Sequence, residues 1–301
     1  DEDKIDYILK NDLLQKYATS YFTRAPKFHH ILVDEAQDLP GKWLQLLDKL
    51  LRRRRSDICI FEDPFQVVRR NTARPEESAR FKKHSLTRVF RNTHNIFEAY
   101  QNYRETLCNQ VSANEGYPSD KTLSPPTVEH NVFGLSPEYI KKESDEQLRG
   151  ELVVILKRLQ TRRVKARDVA VITHGKEVKN LRGYLETAGI KFYNAENDLK
   201  RNMSDPGVIV ESYERFKGLE SKVIIFFIPS SWEPRDVDIY VGFSRSFCLL
   251  IVIGTNRVIS DIKTRQDEPM QRKQSGLWWR FLGYCLLILF VIVIFYWLYG
   301  F

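Results

Sequence analysis

The sequence predicts an α/β protein whose largely parallel β-sheets are flanked by helices, followed by one transmembrane helix. Short runs of β-branched and aliphatic residues alternate with segments of helical periodicity along most of the chain. Several of these runs end in acidic residues or in glycine, as strands of a parallel sheet do where they lead into loops. The third observation is a C-terminal segment, Phe281 to Tyr299, that contains no charged residue.

The first predicted strand, Phe28 to Val33, leads directly into the acidic pair Asp34-Glu35. In open α/β sheets, ligands bind beyond the carboxyl ends of the strands. Two adjacent carboxylates there can divide the work of nucleotide hydrolysis. Asp34 would hold Mg²⁺, and Glu35 would orient and deprotonate the attacking water. An acidic turn after a core strand is the alternative interpretation of this pair.

The same two patterns predict the remaining elements. Apolar residues at helical spacing predict helices over residues 4–21, 43–51, 147–159, 178–188 and 238–243, and one from Asn95 onward. Apolar runs predict strands over residues 58–61, 86–90, 169–172, 208–210, 223–228 and 249–253, the last ended by Gly254. Residues 112–137 are rich in Ser, Pro, Gly and Asn, which predicts a loop or a surface insertion.

Composition narrows the class of protein. A chain of 301 residues with 43% hydrophobic residues can bury a core and is long enough for two domains. Its net charge of +8 and pI of about 9.2 favour an anionic partner, either nucleic acid or an anionic membrane surface. The cysteines show no paired or zinc-binding spacing, which indicates free thiols in a reducing compartment. They are Cys59, Cys108, Cys248 and Cys285.

Five segments occur in an order and at separations that carry a family resemblance. They are Val33 to Asp38 (VDEAQD), Glu62 to Gln66 (EDPFQ), Leu86 to Asn92 (LTRVFRN), Ser212 to Glu220 (SYERFKGLE) and Tyr240 to Ser246 (YVGFSRS). In this order they resemble motifs II to VI of a superfamily-1 helicase core of the UvrD/Rep type. The closer likeness is to the helicase-like C-terminal region of Schlafen-family proteins. The resemblance covers roughly residues 27–254 and implies RecA-like domains.

The resemblance implies four catalytic residues. Glu35 corresponds to the general base that activates water. Gln66 corresponds to the residue that senses the γ-phosphate and couples it to the nucleic-acid site. Arg91 stands at the position of a phosphate-contacting arginine, and Arg245 at that of an arginine finger, which neutralises charge on the transferring phosphoryl group.

The resemblance also implies which residues bind ligands and what those ligands are. Asp34 would hold Mg²⁺ in the Walker B motif, and Ser212 would offer a hydroxyl to a phosphate. Gly218 would let the backbone approach the ligand closely, and Glu220 would contact the ribose or the water network at the γ-phosphate. The implied cofactors are ATP and Mg²⁺, and the implied partner is RNA or DNA bound through its backbone.

The sequence departs from the family pattern in two places, and these departures leave more than one function open. The 301 residues contain no P-loop, Gly-x-x-x-x-Gly-Lys-Ser/Thr. Glu214 stands where the family has histidine, and a carboxylate there would repel a nucleic-acid backbone. One hypothesis is an ATP hydrolase or helicase whose P-loop half lies upstream, so that this chain alone is inactive. The alternative is a non-hydrolysing, helicase-derived module that binds or senses RNA at a membrane. A third hypothesis is a purely structural, tail-anchored adaptor.

The domain organisation expected from these patterns has four parts. They are the C-terminal part of a first RecA-like domain (1–85), a second RecA-like domain (86–258), a basic linker (259–276) and a transmembrane helix (277–299). Aromatic residues cluster at both ends of the last segment, as in an interfacial belt. We therefore expect a single-pass, tail-anchored protein with its bulk in the cytosol, and the short span favours the endoplasmic reticulum over the plasma membrane.

Overall fold

The computed structural model describes residues 27–39, 47, 50–52, 57–66, 88–113, 127–128, 132–193 and 207–267. By its internal contacts the chain divides into two units, Asp1–Gln266 and Asp267–Phe301. The elements below therefore belong to the first unit, except for the last residue of the final helix.

The largest element of the fold is a six-stranded sheet in which every paired strand runs parallel to its neighbour. Its strands in spatial order are β5 (Glu138–Lys142), β10 (Ser246–Thr255), β9 (Ser221–Phe227), β6 (Val169–Thr173), β8 (Val208–Ser212) and β7 (Phe192–Tyr193). Smaller parallel pairs are formed by β1 (His30–Val33) with β2 (Asp57–Ile60), and by β3 (Arg88–Val89) with β4 (Thr127–Val128). The prediction of an α/β fold with parallel sheets is confirmed.

Both faces of the six-stranded sheet are covered, because successive residues of its strands enter different cores. In β9, Ile224 and Phe226 belong to one hydrophobic cluster, whereas Ile225 and Phe227 belong to the other. All four side chains are fully buried. Parallel sheets covered by helices on both faces have continuous apolar strands of this kind, which is why the runs were visible in the sequence.

Five α-helices have their bounds described, in addition to short 3-10 helices at Ala36–Asp38, Pro64–Gln66 and Ala166–Asp168. The α-helices are α1 (His94–Ala113), α2 (Asp145–Thr161), α3 (Gly175–Thr187), α4 (Asp236–Ser244) and α5 (Asn256–Asp267). The first core joins the sheet to α1, α4 and α5, and the second joins it to α2 and α3. Ser144 caps α2, since its side chain accepts a hydrogen bond from the Gln147 N–H at 3.3 Å. Gly189 follows α3 with φ +71°, as predicted for its C′ residue.

Two local predictions are corrected by the sheet. Gly254 does not end the last strand, since it lies within β10 and pairs with Lys141 of β5. Helix α5 begins directly after that strand, where the sequence had suggested a polar spacer, and it buries Val258, Ile259 and Ile262 against the first core. A helix with so few apolar residues resembles a spacer until a partner surface selects its apolar face.

The transmembrane part of the predicted fold class is wrong on the structure, and so is the tail-anchored localisation. No helix in the described part of the chain is long and apolar enough to cross a membrane. The longest described helix, α1, has twenty residues but carries Glu98, Arg104 and Glu105, and charges within a span are costly in hydrocarbon. The segment 277–299, on which the prediction was based, lies outside the described residues.

We expect Gly242→Ala to destabilise the fold by about 1–3 kcal/mol or more, because it overpacks the core. A Cβ at this position in α4 would lie 2.2 Å from Cε2 of the buried Phe226 ring. Chemical denaturation measures the change. Gly183→Ala is the matched control, since that glycine is also helical but its Cβ would meet no atom within 4 Å. The control should stabilise α3 by about 0.5–1 kcal/mol, and equal effects of the two substitutions would contradict the packing argument.

Candidate nucleotide site

The acidic pair lies at the carboxyl end of β1, as predicted, and its backbone is unusual. Glu35 has φ +51°, a left-handed conformation that non-glycine residues seldom adopt. The Asp34 side chain accepts a hydrogen bond from the Glu35 N–H at 2.9 Å. The β1 end is held against the end of β2, since the Ala36 N–H donates to the Phe61 carbonyl at 3.0 Å. The two strand ends thus present their polar residues at one edge, as parallel pairing requires.

Lys217 connects this edge to the loop between β8 and β9. Its ammonium lies 2.8 Å from Asp38 Oδ2 and 3.6 Å from Glu35 Oε2, and its side chain is 6% exposed. Gln37 donates from Nε2 to the same Glu35 oxygen at 2.6 Å. Gly218, with φ +78°, places its backbone beside Glu35: a Cβ there would be 3.7 Å from Oε1. The predicted general base therefore lies next to the segment SYERFKGLE.

Asp63 forms the second link between the segments. Its Oδ2 accepts hydrogen bonds from Gln66 Nε2 and from the Tyr240 hydroxyl, each at 2.7 Å. Its backbone N–H in turn donates to Gln37 Oε1 at 3.2 Å. Burial raises the pKa of Tyr240 well above its usual range, and the negative charge of Asp63 adds to this effect. The tyrosine hydroxyl therefore stays protonated and donates to the carboxylate.

Arg245 is buried at the centre of the site. Its Nη2 donates to Gln66 Oε1 at 2.8 Å, and its Nε donates to the Val241 carbonyl at 3.1 Å. Burial lowers the pKa of Arg245, and the nearby positive charge of Arg91 lowers it further, while Tyr240, Glu35 and Asp63 act in the opposite direction. An arginine nonetheless remains charged at neutral pH. A guanidinium held in this way is oriented before any ligand arrives.

A pocket of about 580 Å³ brings four predicted residues together. They are Gln66, Arg91, Glu220 and Arg245. Arg91 and Glu220 form an ion pair with Nε 2.8 Å from Oε2, and both side chains are almost half exposed. The pocket is therefore lined by the exposed ion pair of Arg91 and Glu220 and by the buried guanidinium of Arg245.

Asn92 ties the pocket wall to the sheet. Its Nδ2 donates to the carbonyls of Ser244 and Ser246 at 3.0 and 2.6 Å. Its Oδ1 accepts from the Tyr100 hydroxyl at 2.9 Å, and burial raises the pKa of that tyrosine above its usual value. The carbonyls held by Asn92 flank Arg245, so the amide fixes the backbone that carries the guanidinium.

Ser212 is not brought into this pocket. Its Oγ accepts a hydrogen bond from the Arg215 N–H at 3.3 Å, and its Cβ lies 3.8 Å from where a Cβ on Gly175 would be. It thus faces the start of α3. Asp34 does not line the pocket either, and no group of three or more potential metal-ligating side chains occurs among the described residues. The predicted roles of both residues remain untested.

Sequence patterns assigned no role to several residues of the site, among them Lys217, Asp63 and Asn92. All three lie within the segments that carry the family resemblance. No local pattern indicates that Lys217 forms a buried ion pair, because its partner Asp38 is 179 residues away in the sequence. The hydrogen bonds that join Asp63 to Tyr240, and Asn92 to Ser244 and Ser246, do not follow from a local pattern, because these partners are distant in the sequence.

Comparisons with known proteins find similarity among solved structures. No family model matches the chain, and no curated protein matches it. Among solved structures, the chain is similar to the C-terminal domain of a possible DNA helicase from Lactobacillus plantarum WCFS1, with 18% sequence identity and a TM-score of 0.42. The alignment covers 58% of this chain and 94% of that domain. A TM-score at this level is too low to assign a function to the chain.

Proposed function

We propose that the chain forms part of a helicase-type nucleoside triphosphatase that binds nucleic acid, with ATP as the nucleotide. One observation supports this most directly. Arg245 and Gln66, 179 residues apart in the sequence, form a hydrogen bond inside a pocket that also holds Arg91. A preorganised, cationic and partly enclosed pocket suits a polyphosphate, because fixed donors need no reorganisation when negative charge develops.

The two arginines would divide the phosphate contacts. Arg245 is held by Gln66 and Val241, so its remaining N–H groups are the candidates for a phosphoryl oxygen. Arg91 is more exposed and pairs with Glu220, and a bound phosphate would compete with that carboxylate for the guanidinium. Released from Arg91, Glu220 would be free to accept hydrogen bonds from ribose hydroxyls. Nucleotide binding would therefore exchange one ion pair for another.

The acidic edge would supply the base and the cation site. Glu35 lies beside Gly218 and close enough to influence the pKa of Arg245. Asp34 has one carboxylate oxygen engaged by the Glu35 N–H, and its other oxygen makes no hydrogen bond within the described part of the chain. That free oxygen fits Mg²⁺, which is bound by one or two carboxylates together with waters and phosphates. Bound there, the ion would offset charge on the nucleotide.

A second candidate function is nucleotide-dependent binding of RNA without hydrolysis. The absence of a P-loop from the 301 residues favours it for this chain, because the β- and γ-phosphates then lack their lysine and backbone cradle. The position of Lys217 also favours it, since the ammonium partly neutralises Glu35. Both candidates use the same pocket, so they differ in turnover and not in the site of binding.

We expect the 301-residue chain to bind Mg-ATP weakly in the pocket and not to hydrolyse it. Calorimetric titration with Mg-ATP measures the affinity, and phosphate release measures turnover. Arg91→Ala should weaken binding further, whereas Lys179→Ala, which removes an exposed cation from α3, should leave it unchanged. Robust Mg-dependent turnover would contradict the importance given to the P-loop. Equal affinities of the wild-type protein and Arg91→Ala would show that the pocket is not the nucleotide site.

A further inference from the structure

The carboxyl-terminal part of α2 and its connection to β6 carry five exposed cationic side chains within eleven residues. We call them the basic ridge: Lys157, Arg162, Arg163, Lys165 and Arg167. Within the described residues, none of the five forms an ion pair. Two neighbouring cations do: Arg158 lies 2.6 Å from Glu138, and Lys222 lies 3.0 Å from Asp168. The nearby carboxylates are thus taken by other cations, and the charge of the basic ridge stays uncompensated.

Helix capping accounts for only part of this charge. Arg162 is the C-cap residue of α2, where cations interact favourably with the helix dipole, and Lys157 lies just before the last turn. Arg163, Lys165 and Arg167 lie beyond the end of the helix. The dipole effect falls off within the last turn, so these three residues have no comparable role in stabilising α2.

Arg163 occupies a backbone position that favours glycine. Its φ is +60°, and α2 ends in a paired turn in which the Val164 N–H donates to Leu159 and the Arg163 N–H donates to Gln160, at 3.0 and 2.9 Å. Glycine is the usual residue at this position because it has no Cβ to strain. The Arg163 side chain is exposed and makes no hydrogen bond or ion pair in the described part of the chain. A strained position that is occupied by an unengaged arginine suggests a role outside the fold.

The chemistry of the basic ridge favours a phosphate backbone over a protein partner. Val164 and Ala166, the apolar residues between the cations, pack against the second core and offer no exposed anchor. The residues that contribute most to protein interfaces are chiefly Trp, Tyr and Arg in buried pockets, and residues 157–167 offer arginines but no aromatic residue. A nucleic-acid backbone needs only closely spaced cations, and the guanidinium fork matches a phosphate in geometry.

We propose that the basic ridge binds the phosphate backbone of a nucleic-acid strand, at a surface separate from the pocket. Ser221 links the two places: its hydroxyl donates to the Asp168 carbonyl at 2.7 Å, and its N–H donates to the Arg245 carbonyl at 3.1 Å. The strand would therefore lie at the edge of the sheet where β6, β9 and β10 begin. This inference rests on the proposed function for its nucleic-acid partner but not for nucleotide binding.

The first test compares two triple variants of the 301-residue protein that change the net charge equally. R162Q/K165Q/R167Q removes three cations of the basic ridge, and K141Q/K179Q/K263Q removes three exposed cations elsewhere. Fluorescence anisotropy with a labelled single-stranded oligonucleotide measures affinity over a range of salt concentrations. The ridge variant should bind roughly 100-fold more weakly near 0.1 M salt, and its log–log salt slope should fall by about 2. The control variant should stay within a few-fold of wild type.

The second test uses Arg163→Gly, which relieves the strain of a positive φ at this position and removes one cation. Its melting temperature should be unchanged or higher, while nucleic-acid affinity falls about fivefold. A variant that is more stable but binds less well cannot be explained by misfolding. An unchanged affinity together with higher stability would show that Arg163 does not contact the strand.

Three outcomes would overturn the proposal. They are equal loss of affinity in the two triple variants, absence of nucleic-acid binding by the wild-type protein, and equally good competition by polyglutamate, which would indicate an acidic protein partner. Mg-ATP titration of the same variants keeps the two proposals apart. Nucleotide binding that survives in the ridge variant while oligonucleotide binding is lost supports both. Oligonucleotide binding by a wild-type protein that fails to bind nucleotide supports the basic ridge alone.

Discussion

Arg245→Ala should lower ATP turnover by about 10³-fold or more in a form of the protein that also carries a P-loop. The guanidinium is buried, charged and held by Gln66 and Val241, so it can meet charge on a transferring phosphoryl group without reorganising. Steady-state phosphate release at saturating Mg-ATP measures the loss. Arg245→Lys should recover little of it, because lysine lacks the planar fork.

Two further variants separate this role from a structural one. Gln66→Ala removes the same side-chain hydrogen bond but keeps the guanidinium, so its turnover should fall less than that of Arg245→Ala. Arg257→Ala removes an exposed arginine that pairs with Glu233 and should leave turnover unchanged. The melting temperatures of all variants show whether the space left by truncating a buried side chain affects folding. Near-wild-type turnover in a folded Arg245→Ala protein would contradict the role of Arg245 as an arginine finger.

Glu35→Gln, in the same P-loop-containing form, should abolish measurable hydrolysis while nucleotide binding persists. The amide keeps the shape of the carboxylate but cannot accept the proton of an attacking water, and a general base contributes about 10²–10⁴-fold. Calorimetry with a non-hydrolysable ATP analogue measures binding, and phosphate release measures turnover. Loss of binding in parallel with turnover would point to a role in holding the nucleotide and not in proton transfer.

Asp38→Asn is the matched control for Glu35→Gln. Both carboxylates contact Lys217, at 2.8 Å from Asp38 and 3.6 Å from Glu35, and both side chains are about one-third exposed. Each substitution therefore removes one negative charge from beside the Lys217 ammonium. Asp38→Asn should keep turnover within a few-fold of the parent protein. A loss as large as that of Glu35→Gln would assign the effect to Lys217 and its charge balance.

Local patterns predicted the sheet interior well and its edge poorly. The strand of Val169 to Ile172 was visible because parallel strands between two helical layers are apolar along their whole length. The edge strand β5, with the sequence Glu-Tyr-Ile-Lys-Lys, was missed because it pairs with β10 alone and is only partly buried. An edge strand needs few apolar residues, so its sequence resembles a loop.

The membrane prediction rested on the hydropathy of one segment, 277–299, which lies outside the described residues. The described helices combine apolar faces with charged ones, and none of them is long and apolar enough to cross a membrane. Helix α5 illustrates the contrast: Ile259 and Ile262 enter the core, while Arg265 pairs with Asp236 of α4 at 2.7 Å. Tertiary packing, and not overall hydropathy, determines what such a helix contacts.

The sequence by itself determined the alternation of strands and helices, the acidic pair after β1 and the order of the five segments. These follow from residue types that are adjacent or recur at short periods. Only the tertiary structure decided which of their side chains meet. Arg245 with Gln66, and Lys217 with Asp38, are each joined across 179 residues, while Ser212 is turned towards α3 instead. Contacts of that range depend on how helices and sheets pack, which no local periodicity encodes.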